Sequence, residues 1–248
     1  MNAVAEELAK RLATEGFRPS GALDDIPDEQ PGRRYPTWKR VWFTAPVVSV
    51  QGLTSVLLVV LQWDGSRGGL SLNAHAQMVS DTVATVLRDM PTGALPIDAE
   101  DEGDRWQPHY LESVSFGFFY SEFDPSSQKI WLAGESDVVE ALDRFMSMLH
   151  GPVHSWLSER DSVDKLFELA HRPSTMGGDQ SNPDPIRLRG IVVLAISNGR
   201  ASDAATLTEW YLRRARFTGA DTIERVSAFN TAMREQFTDY ALTPPPTN

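Results

Sequence analysis

Between Glu112 and Ala170 the spacing of apolar residues changes from two to between three and four, and that change predicts the elements. Val114, Phe116, Phe118 and Tyr120 alternate with Ser113, Ser115, Gly117 and Phe119, as a strand does when one face meets a core. A turn at Asp124-Pro125-Ser126-Ser127 follows. Ile130 and Leu132, alternating with Lys129 and Trp131, form a return strand, so the pair reads as an antiparallel hairpin. Asp137, with Glu140 three residues on, opens a helix whose stripe is Val138, Leu142, Met146 and Leu149, and Gly151-Pro152 stops it. Beyond Trp156 and Leu157 a second start at Ser158 to Asp161 leads into Val163, Leu166, Phe167 and Ala170 before Pro173.

The flanking chain adds sheet before this stretch and helix after it. Val4, Leu8 and Leu12 share one face of an N-terminal helix that Gly16 closes, and Arg18 to Pro36 is a surface connection rich in Pro, Gly and Asp. Trp38 to Phe43 alternates, Val47 to Val50 continues or bends that strand after Pro46, and Thr54 to Trp63 is apolar on both sides, the mark of a central strand. Asp64 to Gly69 turns the chain into Leu70, Leu72, Ala74 and Ala76, whose alternation with Ser71, Asn73, His75 and Gln77 gives an antiparallel partner with a polar face. Val79, Val83, Val86 or Leu87, and Met90 fit a helix; Leu95 to His109 is a loop. Arg172 to Pro185 has the composition of a linker, and 186–197, 203–217 and 222–240 are three helical segments. The expected fold class is therefore α+β, an antiparallel sheet with helices on one face in residues 1–172, followed by a helical C-terminal region over 185–240.

Composition narrows the function classes. A 41% hydrophobic content supports a real core, and a net charge of −11 argues against binding to nucleic acid or to an anionic membrane surface. Zero cysteines exclude disulfides and thiolate chemistry and suit the cytoplasm. The N-terminus lacks the basic and apolar regions of a signal peptide, and the longest apolar run, Val56 to Leu61, falls far short of the ~20 residues of a membrane-spanning helix.

Candidate chemistry is sparse. Asp98, Glu100, Glu102 and Gly103 occupy four positions of a calcium hand, but the twelfth is His109 instead of a bidentate Glu, so no calcium or other cofactor is expected. A docking strip for a basic protein is the functional reading of that loop, and Asp98, Glu100, Asp101, Glu102, Asp104 and the adjacent Trp106 are its candidate partner-binding residues. His150 and His154 have metal-ligand spacing, but Gly151-Pro152 breaks the helix that would aim them. Gly65 to Gly69 lacks the ending of a phosphate loop and reads as a turn. Trp38, Trp42, Phe116, Phe118, Phe119 and Trp131 are core residues or an exposed protein-binding patch. Arg187, Arg189, Arg213, Arg214 and Arg216 concentrate in the C-terminal helices, where solvation is the default expectation.

Val114 to Tyr120, the single Trp131 on the return strand, the Glu135-Ser136-Asp137 helix entry and the step from Pro152 to Trp156-Leu157 together resemble a bacterial domain of unknown function, family 4304, over roughly residues 1–172. Gly16-Phe17 and the Val50 to Leu61 sheet add to the likeness, whereas the 94–110 loop and the extension after Pro185 depart from it. The resemblance implies a non-enzymatic protein of the immunity type, which binds and neutralises a basic toxin. Two other readings stand beside it: an enzyme drawing on His75, His109 and Glu112, and an assembly adaptor using the C-terminal helices.

Overall fold

The computed structural model describes residues 1–20, 24–25, 38–65, 67–97, 110–121, 129–173, 183–214 and 221–243. They form an α+β structure with an antiparallel sheet and a helical C-terminal part. The chain divides into two compact units, one made of Met1–Pro46, Thr54–Met78 and Ser113–Ser158, the other of Val47–Leu53, Val79–Glu112 and Glu159–Asn248. Among the described residues no helix is long and apolar enough to cross a membrane.

The first unit is built on the sheet. Helix α1 (Asn2–Thr14) buries Val4, Ala5, Leu8 and Leu12 and ends at Gly16, whose φ of 83° is one that side chains other than glycine rarely adopt. Two short strands, β1 (Arg18–Pro19) and β2 (Asp24–Asp25), pair antiparallel with β3 (Trp38–Pro46), setting Arg18 opposite Thr44 and Asp24 opposite Arg40. β3 pairs antiparallel with β4 (Thr54–Asp64) along its whole length, Val41 facing Val59 and Phe43 facing Leu57. β5 (Gly69–Val79) follows, so β4 is central, as its apolar run implies; β6 (Tyr110–Ser115) and β7 (Ile130–Leu132) both pair with β5. Val41 and Phe43, Leu57, Val59 and Leu61, and Leu70, Leu72, Ala74 and Ala76 make one face. That face shares a single core with α1 and with α3 (Val138–Met148), which contributes Ala141, Leu142 and Phe145.

The expected hairpin does not form. β6 ends at Ser115, and Phe116–Phe119 coils into a 3-10 turn in which Ser115 Oγ accepts the Gly117 N–H at 3.3 Å. Phe116 is buried and stacks on Phe145 with 5.1 Å between ring centroids. β7 instead pairs antiparallel with β5, with Leu132 opposite Leu70 and Ile130 opposite Leu72; the turn expected at Asp124 to Ser127 lies outside the described residues.

Gly151-Pro152 interrupts the helical path as expected. α3 ends at Met148, Gly151 takes the non-helical φ −94°, ψ −106°, and beyond this kink the chain resumes as α4 (His154–Ser158). Proline there removes one ladder N–H. Asp137 leaves the start of α3 uncapped and accepts the N–H groups of Ala133 and Gly134 instead, at 2.9 and 3.2 Å.

The second unit is helical. Val47 to Leu53 is a closed turn, with no continuation of the strand: Val47 N–H donates to Leu53 O, and Gly52 takes φ 82°. α2 (Asp81–Arg88) is capped by Ser80, and α5 (Val163–Ala170) by Ser162, one residue beyond the start expected from the sequence. α6 (Pro185–Ser197) has Asp184 as its cap, accepting from Ile186 and Arg187 at 2.9 Å each, and Pro185 in its first turn. It is buried on every side from Arg187 to Ile196, and at Gly190 a side chain would come within 3.2 Å of Leu111. α7 (Ala201–Arg214) precedes α8 (Ile223–Gln236) and α9 (Thr238–Leu242). The last predicted helix is thus two, broken at Phe237, where ψ is 107°.

Phe145 is fully buried in the first core and stacked on Phe116. Phe145→Ala is expected to lower unfolding free energy by about 3–5 kcal/mol, read as a lower denaturation midpoint at an unchanged slope.

Candidate binding surface and buried ion pairs

Strand alternation that sends Val41, Leu57 and Leu72 into the core sends their neighbours to the opposite face of the sheet. There Trp42 lies opposite Leu58, Arg40 opposite Val60 and Trp38 opposite Gln62. Ser71, beside Gln62 through a 3.4 Å bond from its hydroxyl to the Gln62 carbonyl, starts the polar row Ser71, Asn73, His75 and Gln77 along β5. Trp131 faces Ser71 and lies so close over Gly69 that a Cβ there would be 2.6 Å from the indole. Trp38, Arg40, Trp42, Leu58, Val60, Asn73, His75 and Trp131 are each partly buried, so this face is neither solvated surface nor core. Of the six aromatics noted in the sequence, Trp38, Trp42 and Trp131 line it; Phe116 joins the core, and Phe118 and Phe119 pack against it.

Ionisable groups on this face are unevenly matched. The Arg40 guanidinium sits 4.7 Å from the Trp38 ring centroid, a cation–π contact. Arg67 is paired with Asp64 at 4.0 Å and lies 5.8 Å from the Trp131 ring centroid. Burial lowers the pKa of His75 below its ordinary value, favouring the neutral ring.

The second unit holds two buried nodes of charge. Glu112 accepts from Arg160 Nε at 2.6 Å and from Arg187 Nη1 at 3.1 Å, while Arg187 Nη2 donates to the carbonyls of Arg172 and Pro173. Arg189, with no exposed surface, makes a two-pronged contact with Asp221 at 2.8 and 2.9 Å and donates to the carbonyls of Ala94 and Pro185. Tyr211 adds its hydroxyl to Asp221 at 3.1 Å, and burial, together with the aspartate's charge, raises the phenol's pKa. Tyr240, likewise raised by burial, sets its hydroxyl between Thr208 and Asn230.

Solvation is thus the wrong expectation for Arg187 and Arg189. It holds nearer for Arg213, whose exposed side chain pairs with Glu209 at 2.7 Å; the side chain of Arg214 and the whole of Arg216 lie outside the described residues. The sequence carried a signal for the buried pair. Residues two apart on a helix point about 200° apart, so Arg187 and Arg189 cannot share one wet stripe within an apolar run.

The partner-binding candidates Asp98, Glu100, Asp101, Glu102, Asp104 and Trp106 all lie outside the described residues, as does His109. His150 Nε2 is 3.1 Å from Glu15 Oε1 on the surface, and His154 is exposed. His171 is also exposed, its Nδ1 2.6 Å from the Phe167 carbonyl and its ring 4.2 Å from that of Trp210. Among the described residues no group of three or more His, Asp or Glu is placed to hold a metal. Comparison with protein-family models, curated proteins and solved structures finds no match for the chain.

Two predictions test these assignments. Asp221→Ala strands a buried guanidinium and is expected to cost about 3–5 kcal/mol, whereas Arg189→Met combined with Asp221→Leu is expected to recover most of that loss in a denaturation series. His75 binds its proton less readily folded than unfolded, so stability is complete above the unfolded value of 6.5 and falls as pH drops below it towards the folded value. Thermal melts across that window should show a smaller acid-side drop for His75→Gln than for the parent chain.

Proposed function

We propose that the chain is a non-enzymatic protein-binding module of the toxin-neutralising type, whose partner presents a basic surface. The observation that carries this reading is the disposition of charge. Formal net charge is −11, and among the described residues the cations Lys39, Arg160, Arg187 and Arg189 are buried against the acids Asp221 and the nearly buried Glu112. The charge shown to solvent is therefore more negative than the formal value, and it acts alongside the acid-rich stretch from Asp98 to Asp104. Such a field speeds encounter with a cationic protein and repels nucleic acid. The absence of cysteine suits a cytoplasmic setting.

Catalysis by Glu112 has less support, because both of its carboxylate oxygens are engaged by arginines.

The test is co-purification of the tagged chain with the product of its neighbouring gene at low and raised salt. A complex that weakens as salt screens exposed charge is expected, and neutralising Asp98, Glu100, Asp101, Glu102 and Asp104 together as Asn and Gln should slow association about tenfold or more. Absence of a complex at both salts, or one indifferent to salt and to those substitutions, overturns the reading.

A further inference from the structure

Most of the described arginines have a carboxylate or carbonyl partner. Among the described residues, side chains with neither a carboxylate nor a carbonyl partner belong to Arg18, Arg40, Arg88 and Arg144. Three of these are exposed, where water supplies the partner; Arg40 is partly buried. Its one recorded contact is the indole of Trp38, which engages the flat face of the guanidinium and leaves the N–H edge free.

The polar row on the same sheet face is also unspent. Gln77, only 7% exposed, has its Oε1 buried with no hydrogen-bond partner, and buried polar groups left in that state are uncommon enough to need a cause. Among the described residues the partly buried His75 ring has no hydrogen-bond partner, and Asn73 uses its Oδ1 on the Ala74 N–H and its amide donors on none. The neighbouring strands present Trp42, Leu58 and Val60 on this face. With Arg67 paired to Asp64, Arg40 is a cation of this face without an ion-pair partner among the described residues, in a chain whose net charge is −11.

We propose that this sheet face is a binding site for a small carboxylate-bearing molecule with a flat apolar body. Arg40 takes the carboxylate through its free edge, and Trp42 with Leu58 and Val60 receives the body. An arginine fork matches a carboxylate in both shape and charge, and the neighbouring indoles lower the local dielectric that strengthens the pair. Asn73 and His75 supply neutral hydrogen-bonding groups. The site goes beyond the protein-binding reading and does not rest on it.

Titration of the full chain with phenylacetate and with its neutral analogue phenylacetamide, read by tryptophan fluorescence, tests the assignment. Saturable binding of phenylacetate at least tenfold tighter than of the amide is expected, and Arg40→Gln should bring the two ligands to the same affinity. If that variant does not fold, Arg40→Lys, which keeps the charge and loses the fork, should weaken phenylacetate several-fold. Equal affinity for acid and amide in the parent chain, no binding of either, or unchanged acid preference after Arg40 is replaced would overturn the proposal. None of these outcomes bears on the salt-dependent protein complex.

Discussion

A guanidinium that water cannot reach must be matched by the protein itself, and Arg189 imposes that requirement on the helical unit. Its Nε donates to Ala94 O at 3.0 Å, Nη1 to Pro185 O at 3.1 Å, and both Nη groups to Asp221, with the Phe229 ring 5.3 Å away. One side chain therefore fixes three separate parts of the chain: the turn after α2, the first turn of α6 and the entry to α8. Asp221 continues the arrangement by accepting from Tyr211 and from the Thr222 N–H, and Thr222 in turn caps α8. Glu112 does similar work nearby in sequence, joining Arg160 before α5 to Arg187 at the start of α6.

The sheet unit obeys a different rule. Its interior is apolar, and register alone decides which residues enter it, because a slip of one residue would exchange Val41 and Leu57 for Trp42 and Leu58. Among its described residues the buried charge is Lys39, whose ammonium reaches Asn2 at 2.8 Å and ties β3 to the first turn of α1. Stability in this unit comes from area removed from water; in the helical unit it also depends on completed polar contacts.

This difference explains what the sequence disclosed. Period-two alternation in β3 and β5 and helical stripes in α1 and α3 are local patterns set by burial of one side, so strands, helices and the α+β class were legible. Long-range partner choice was not. The alternation at Phe116 to Tyr120 looked like strand, yet stacking of Phe116 on Phe145 and the freedom of Gly117 curl it into a 3-10 turn. Likewise, β7 pairs with β5 and not in a hairpin, a choice made by residues some sixty positions away. At the candidate surface the Trp and His positions were visible one by one. Their gathering on a single face, with Arg40 between Trp38 and Trp42, required the registers of two strand pairings. The acidic candidates were found by composition alone, which carries no geometry.

Burial of Arg160, Arg187 and Arg189 has a consequence for chemical labelling. A dicarbonyl reagent attacks guanidinium groups that solvent can reach, so in the native chain these three should react far more slowly than Arg18 or Arg88, which stand in water. Local opening of the helical unit would release them together, since the contacts that close them are shared through α6. Their labelling rates therefore act as an internal clock for opening of that unit, while the exposed arginines keep the reference time.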